Sequence, residues 1–265
     1  MSVYVVTGAA RGIGAAFVQQ FSADAANTVF ALVRTRSTFI YTPSSNVHVI
    51  ETGEIGETEA YTTRLEHVVK EIETKAGRVD VLVNNAAVMH GKMAREYVET
   101  EGGLNEFIKH MNENWDVNVV GVNVTIFALL PLLKRSADPK VISISTGFAD
   151  LDVVHKARLP VALPYSSTKA ALNMSIAKWS YVYPEIKFLS VCPGYVNTLN
   201  RPPTEEDIGK HAYMMSQFRK INPEFKGAIT PAESVKDIVG FIDNLTPEQS
   251  GDFISHYGGK NWLGN

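Results

Sequence analysis

Residues 3–21 read VYVVTGAARGIGAAFVQQF, and the fold turns on how this stretch divides. VYVVT is a β-branched and aromatic run suited to a buried strand. Ile13, Phe17 and Phe21 then recur every four residues and lay an apolar stripe along a helix. Between the two stand Gly8, Gly12 and Gly14. Glycines there permit a tight turn and close approach of backbone to a ligand, and the unpaired N–H groups of a helix start favour an anion. The order strand, glycine loop, amphipathic helix predicts a βαβ unit whose first turn cradles a pyrophosphate, with Gly8, Arg11, Gly12, Ile13 and Gly14 around it.

The alternation continues along the chain. Strand-like runs occupy 28–33, 47–51, 79–85, 141–145, 187–192 and 252–256, and Leu65, Val68, Val69 and Ile72 form a second helical stripe. Seven strands alternating with helices predict an α/β protein, one Rossmann-type domain over 1–265 with a doubly wound parallel sheet. Two segments break the pattern. Residues 147–164 hold no clear periodicity, and residues 199–230 mix prolines and acids with Tyr213, Met214, Met215 and Phe218. Ligands of open α/β sheets bind beyond the carboxyl ends of the strands, so both segments are expected to wall a substrate cleft, 199–230 as a binding loop and helix.

Composition narrows the partners. With 45% apolar and 20% charged residues the chain can build a sizeable core, and 25 basic against 28 acidic residues leave a formal charge of -3. That balance argues against nucleic-acid or membrane-surface binding and for a small-molecule partner. Cys192 is the single cysteine, so no intramolecular disulfide can form; it reads as a buried strand residue rather than a nucleophile. The seven histidines lack ligand spacing, which gives metal catalysis no support. No leader-like segment precedes Val3, and the apolar run near 126–133 is expected to be broken by Pro131, short of the roughly 20 residues that span a bilayer. A cytoplasmic location is expected.

The pattern T-G-x-x-x-G-x-G at 7–14, followed in order by NNAA (84–87), YSSTK (165–169) and PGYVNT (193–198), resembles the short-chain dehydrogenase/reductase family over nearly the whole chain, fungal and insect NADPH-dependent carbonyl reductases among them. The resemblance implies that Asn85 and Ala86 line the adenine ribose and that Pro193, Gly194, Val196 and Thr198 receive the nicotinamide. Position 87, usually glycine in the family, is alanine, which would carry strain of about 1 kcal/mol if its φ were positive. Twenty residues after Gly14, where an acid would read an unphosphorylated ribose, stands Arg34, with Arg36, Ser37 and Thr38 behind it. A guanidinium there pairs with a phosphate, so NADP(H) is expected over NAD(H). The family's aspartate near the adenine is replaced by Gly53, flanked by Glu51 and Glu54.

YSSTK sets Tyr165 and Lys169 one helical turn apart. An ammonium beside a phenol is expected to lower the phenol's proton affinity and fit it for acid–base work, and the resemblance gives Lys169 a second role on the nicotinamide ribose. A second Tyr-x-x-x-Lys, Tyr183 to Lys187, is set aside because Pro184 and the next strand prevent a shared helical face. The family ends its fifth strand in two serines and uses the second hydroxyl on the carbonyl; here Ser145 matches the first and Thr146 the second. Thr146 is the better match, while Ser145 or a purely structural hydroxyl remains open. Asn118, within NENWDVNVVGVNV, matches the asparagine that anchors a water relay behind the lysine, although a buried asparagine also serves a helix kink.

Together these features predict NADPH-dependent reduction of a carbonyl substrate, bulky or aromatic given Phe148 and Tyr195 near the cleft, by a homodimer or homotetramer. Two rivals remain: an NADP(H)-binding regulator or scaffold without useful turnover, and an isomerase or cyclase assisted by bound cofactor.

Overall fold

The computed structural model describes residues 1–39, 41 and 43–264. Its centre is a parallel sheet of seven strands: β1 Val3–Thr7, β2 Thr28–Val33, β3 Val47–Glu51, β4 Val81–Asn84, β5 Lys140–Ile144, β6 Lys187–Cys192 and β7 Phe253–Ser255. The spatial order is β3-β2-β1-β4-β5-β6-β7, so the chain winds outward from β1 in one direction and then, after β3, crosses to the other. All pairings are parallel, with Val5 opposite both Phe30 and Leu82, and Ile142 opposite Leu189. The expected strands are all present, β1, β2, β3 and β6 with the expected bounds and β4, β5 and β7 trimmed or shifted at their ends by one or two residues.

Strands buried on both faces need apolar side chains in both directions, and the sequence supplies them. Val5, Phe30, Leu32, Leu82, Val141 and Phe188 point to one face, where α2 (Thr58–Ala76), α5 (Val122–Leu133) and α7 (Leu163–Val182) cover them with Leu65, Ile72, Ile126, Leu129, Leu172 and Ile176. Val6, Ala31, Val83, Ile142, Leu189 and Val191 point to the other, beneath α1 (Gly12–Ser22) and α9 (Pro231–Asn244). The stripe read in the sequence behaves as expected: Phe17 and Phe21 are buried there, and Ile13 packs partly buried against the same cluster. Each fully buried aromatic such as Phe17 or Phe30 contributes roughly 1.5–3 kcal/mol by leaving water.

Two expectations fail. Residues 151–157 form a helix, α6 (Leu151–Ala157), after α3 (Ala94–Glu99) and α4 (Gly103–Trp115) earlier in the chain. Asp150 caps α6 by accepting from the Asp152 and Val153 N–H groups, and a single short cap motif carries too little periodicity to be seen in sequence. Pro131 does not interrupt its segment either. It lies in the last turn of α5, which continues from α4 through a π-helical turn, Asp116–Gly121. The combined run Gly103–Leu133 has the length and apolar composition of a membrane span, but 56% of its most apolar window is buried in the protein, where it packs on α2 and α7.

Candidate active site

The site forms where β1, β4, β5 and β6 end. Gly8 (φ +62°) and Gly12 (φ +57°) adopt left-handed backbone that costs other residues energy. A Cβ at Gly8 would lie 2.7 Å from Ala86 Cα, and one at Gly14 would lie 2.2 Å from the Gly8 oxygen and 2.5 Å from Asn85 Nδ2. The turn can therefore close on β4 only with glycine at both places. Thr7 Oγ1 accepts from the Asn85 and Ala86 N–H groups, at 3.1 Å each, while Asn85 Nδ2 donates to the Thr7 and Gly8 carbonyls. Arg11 occupies the N-cap of α1 in extended conformation without a side-chain cap, which leaves the first N–H groups of that helix for an anion. Gly12 meets Thr198 across the cleft, its virtual Cβ being 3.3 Å from the threonine methyl. Gly8, Gly12, Gly14, Asn85, Ala86 and Thr198 are thus brought together, and the glycine cradle beside an uncapped helix start fits a dinucleotide. Ala87 is absent from the positive-φ residues, so the strain considered for it does not arise.

At the β2 and β3 ends Arg34 Nη1 lies 3.0 Å from Glu54 Oε1, an exposed ion pair. Arg36 begins a short 3-10 turn, Arg36–Thr38, and donates through Nη2 to the Val49 carbonyl. Gly53 (φ +65°) lies against the Arg64 guanidinium, a residue that no motif singles out.

The chemical residues enter from α7 and the end of β5. Ala162 (φ 56°) starts α7 in left-handed conformation, with Tyr165 in its first turn and Lys169 one turn on. Lys169 is 1% exposed, and its Nζ donates to the Ile144 carbonyl at 2.7 Å. Burial draws its ammonium down to about 7. The Tyr165 phenol moves the other way, pushed up first by burial and then by the neighbouring Cys192. The expected lowering of the phenol by the ammonium is therefore not seen in the free protein. Lys169 Nζ stands 5.8 Å from the Tyr165 ring centre and is committed to Ile144, so desolvation dominates both groups.

Ser145 and Thr146 differ sharply. Ser145 is buried, 1% exposed, with no partner for its hydroxyl among the described residues. Thr146 is partly exposed; its Oγ1 accepts from Phe148 N at 3.2 Å and caps the following 3-10 turn, Gly147–Ala149, which packs against α7. That bond uses an oxygen lone pair and leaves the hydroxyl proton free to donate. Asn118 lies in the π turn. It accepts from Val88 N, and its Nδ2 donates to the Val88 carbonyl and to Thr168 Oγ1, next to Lys169. Asn114 likewise holds the His90 carbonyl. Asn118 therefore ties the strand-end loop to α7 and makes no side-chain bond to Lys169 itself.

The 193–198 segment is built on buried support. Ser234 Oγ donates to the Pro193 carbonyl at 2.7 Å, and Gly194 (φ +85°) leaves room for the buried His256 ring, 2.4 Å from where its Cβ would be. Val196 bridges to Ile229, pinning the neck of the 199–230 excursion. That excursion contains α8 (Glu205–Phe218), started by a Thr204–Asp207 capping box and tied back to the 193–198 segment by a 2.9 Å bond between Tyr195 Oη and His211 Nδ1. Beneath it Phe148, Tyr195, Met214 and Met215 join Cys192, Phe218, Phe225 and Trp262 in an apolar cluster. Trp262, Phe225 and the Tyr195–His211 tether were not anticipated, because nothing local in the sequence places the chain's end beside Gly147.

A sequence profile described as short chain dehydrogenase matches residues 2–209. The short chain dehydrogenase virK of Hypocrea virens is 36% identical over 276 residues, covering 99% of this chain and 100% of that protein. The short-chain dehydrogenase/reductase AacuF of Aspergillus aculeatus is 34% identical over 272 residues, with 99% and 100% covered. Among solved structures, the NADPH-bound carbonyl reductase from chicken fatty liver superposes with a TM-score of 0.73 at 24% identity over 97% of this chain and 98% of that one. Carbonyl reductase Sniffer of D. melanogaster does so at 0.71 and 21%, with 97% of each chain covered. These two likenesses are of fold. The profile match and the full-length fungal relatives go further, and they establish that the chain belongs to the short-chain dehydrogenase/reductase family of nicotinamide-dependent oxidoreductases.

Proposed function

We propose that the protein is an NADP(H)-dependent reductase of a bulky, hydrophobic or aromatic ketone or aldehyde. The carrying observation is Tyr165 with buried Lys169 one helical turn on, Lys169 being bonded to the end of β5 and the phenol standing beside Cys192 of the apolar cluster. The nicotinamide, when bound, supplies the hydride. Tyr165 donates the proton to the carbonyl oxygen; burial keeps its phenol protonated at neutral pH, as an acid in the reducing direction must be. Among the described residues no hydrogen bond engages its hydroxyl, and the residue is partly exposed, which leaves the hydroxyl open to substrate. Thr146 donates a second hydrogen bond to the same oxygen, a role favoured by its exposure and its unused proton, while Ser145 is shut behind it. Lys169 leaves Ile144 or shares its protons with the nicotinamide ribose. Asn118 is a positioning residue that fixes the π turn and, through Thr168, the register of α7.

Gly8, Arg11, Gly12, Ile13 and Gly14 hold the pyrophosphate, Asn85 and Ala86 the adenine-side ribose, and Pro193, Gly194, Val196 and Thr198 the nicotinamide. Arg34 after β2, and Arg11 in the turn after β1 with no ion-pair partner among the described residues, support NADP(H), since a guanidinium pairs with a ribose 2′-phosphate. Exposed Leu104, Ile108 and Trp115 share one face of α4, and Met174 and Tyr181 one face of α7. These faces support pairing of two copies. The test is NADPH oxidation across a panel of aryl and bulky alkyl ketones with product identification, run beside NADH. Turnover with NADPH that Tyr165→Phe abolishes is expected; a wild type that binds NADPH and reduces nothing in the panel would overturn the reading.

A further inference from the structure

We propose that Glu54 is a built-in competitor for the cofactor's 2′-phosphate: its carboxylate occupies Arg34 in the free protein and sets how strongly the site prefers the phosphorylated dinucleotide. The inference rests on the NADP(H) reading above. Glu54 Oε1 lies 3.0 Å from Arg34 Nη1, so an anion already stands at the guanidinium assigned to the phosphate.

The loop that presents this carboxylate is held on both sides. The Gly53 N–H bonds to the Arg34 carbonyl at 3.1 Å, and Arg64 Nη2 donates to the Glu54 carbonyl at 3.1 Å and to Glu57 Oε2 at 3.4 Å. A Cβ at position 53 would lie 2.7 Å from Arg64 Cζ, so the arginine fills the room that glycine leaves. With the backbone pinned to Arg34 in front and Arg64 behind, the freedom left to Glu54 is that of its side chain. The pair itself is weak, the two side chains being 64% and 53% exposed. A phosphate that takes both prongs of the guanidinium can displace it; a ribose hydroxyl cannot. The nearby arginines are not restrained in this way. Arg36 is bonded to the Val49 carbonyl, and Arg11 has no ion-pair partner among the described residues. Removing the Glu54 charge therefore releases Arg34 specifically.

The test titrates the whole chain, wild type and Glu54→Gln, with 2′,5′-ADP and with 5′-AMP by calorimetry, which reads the adenosine corner without turnover. Glu54→Gln is expected to bind 2′,5′-ADP about three- to fivefold tighter, the size of an exposed ion pair, and 5′-AMP within about twofold of wild type. Glu54→Ala guards against a glutamine that keeps a hydrogen bond to Arg34. In an Arg34→Gln background the substitution should have no effect, since the coupling runs through that guanidinium. Unchanged 2′,5′-ADP affinity in both folded variants, or equal tightening of both ligands, overturns the inference while a wild-type preference for 2′,5′-ADP leaves the NADP(H) reading standing. If neither wild type nor variants prefer 2′,5′-ADP, the reading falls and the inference with it.

Discussion

Replacing Lys169 by methionine should make the ligand-free protein more stable at neutral pH, and the gain should fade as pH rises. Lys169 is 1% exposed, and burial draws its ammonium from 10.5 to about 7. Between those values the unfolded chain binds more protons than the folded one, so the lysine's cost to folding is full below about pH 7 and disappears toward pH 10.5. The gap, 10.5 minus about 7, is about 3.5 units. At about 1.36 kcal/mol per unit it costs about 4 kcal/mol at pH 7 and about 1 kcal/mol at pH 9.5. Methionine of similar length removes this cost but leaves the Ile144 carbonyl, now 2.7 Å from Nζ, without its donor, a loss of about 1–3 kcal/mol. The variant should therefore be about 1–3 kcal/mol more stable at pH 7 and no more stable at pH 9.5. The change of about 3 kcal/mol between the two conditions does not depend on the hydrogen-bond cost. Urea unfolding of both proteins at the two pH values measures it directly. A stability difference that stays constant with pH would refute burial as the cause of the depressed ammonium. The same substitution should weaken cofactor binding, the usual opposition of stability and function at a site.

Tyr165→Phe should lower kcat/KM by about 10²–10⁴ with NADPH affinity unchanged, and Thr146→Val should lower it at least tenfold more than Ser145→Ala does, by roughly the weight of one positioned donor; equal losses at 145 and 146 would remove Thr146 from the carbonyl. Gly14→Ala puts a Cβ 2.2 Å from the Gly8 oxygen, so it should destabilise by about 1–3 kcal/mol and abolish NADPH binding in a fluorescence titration, and wild-type affinity would show that this loop does not hold the cofactor. Arg158, exposed and left-handed at the end of α6 (φ 50°), sits where helices favour glycine. Arg158→Gly should therefore raise stability by about 1 kcal/mol and Tm by about 2–4 °C, whereas a fall in Tm would mean the arginine side chain has a structural partner in solution.

The amino-acid sequence by itself determined the strands, their alternation with helices and the parallel sheet that follows from it. Each strand and its following helix carry their own periodicity, and VYVVT, TVFALV and KFLSVC are strands because runs buried on both faces are near-continuously apolar. The glycine loop and the Tyr165–Lys169 spacing were equally legible, since both are local: a turn needs its glycines within a few residues, and a helix brings i and i+4 together wherever it lies. Tertiary structure decided what depends on separated segments meeting. Only packing reveals that Lys169 faces Ile144 rather than the Tyr165 oxygen, that burial outweighs their mutual attraction, and that Glu54 reaches Arg34 across 20 residues of chain. The α6 cap, the π turn at Asn118 and the seat of Trp262 behind Gly147 have no sequence period either. Proton affinities and pocket walls depend on which atoms exclude water around a group, and that exclusion is a property of the folded volume rather than of any one segment.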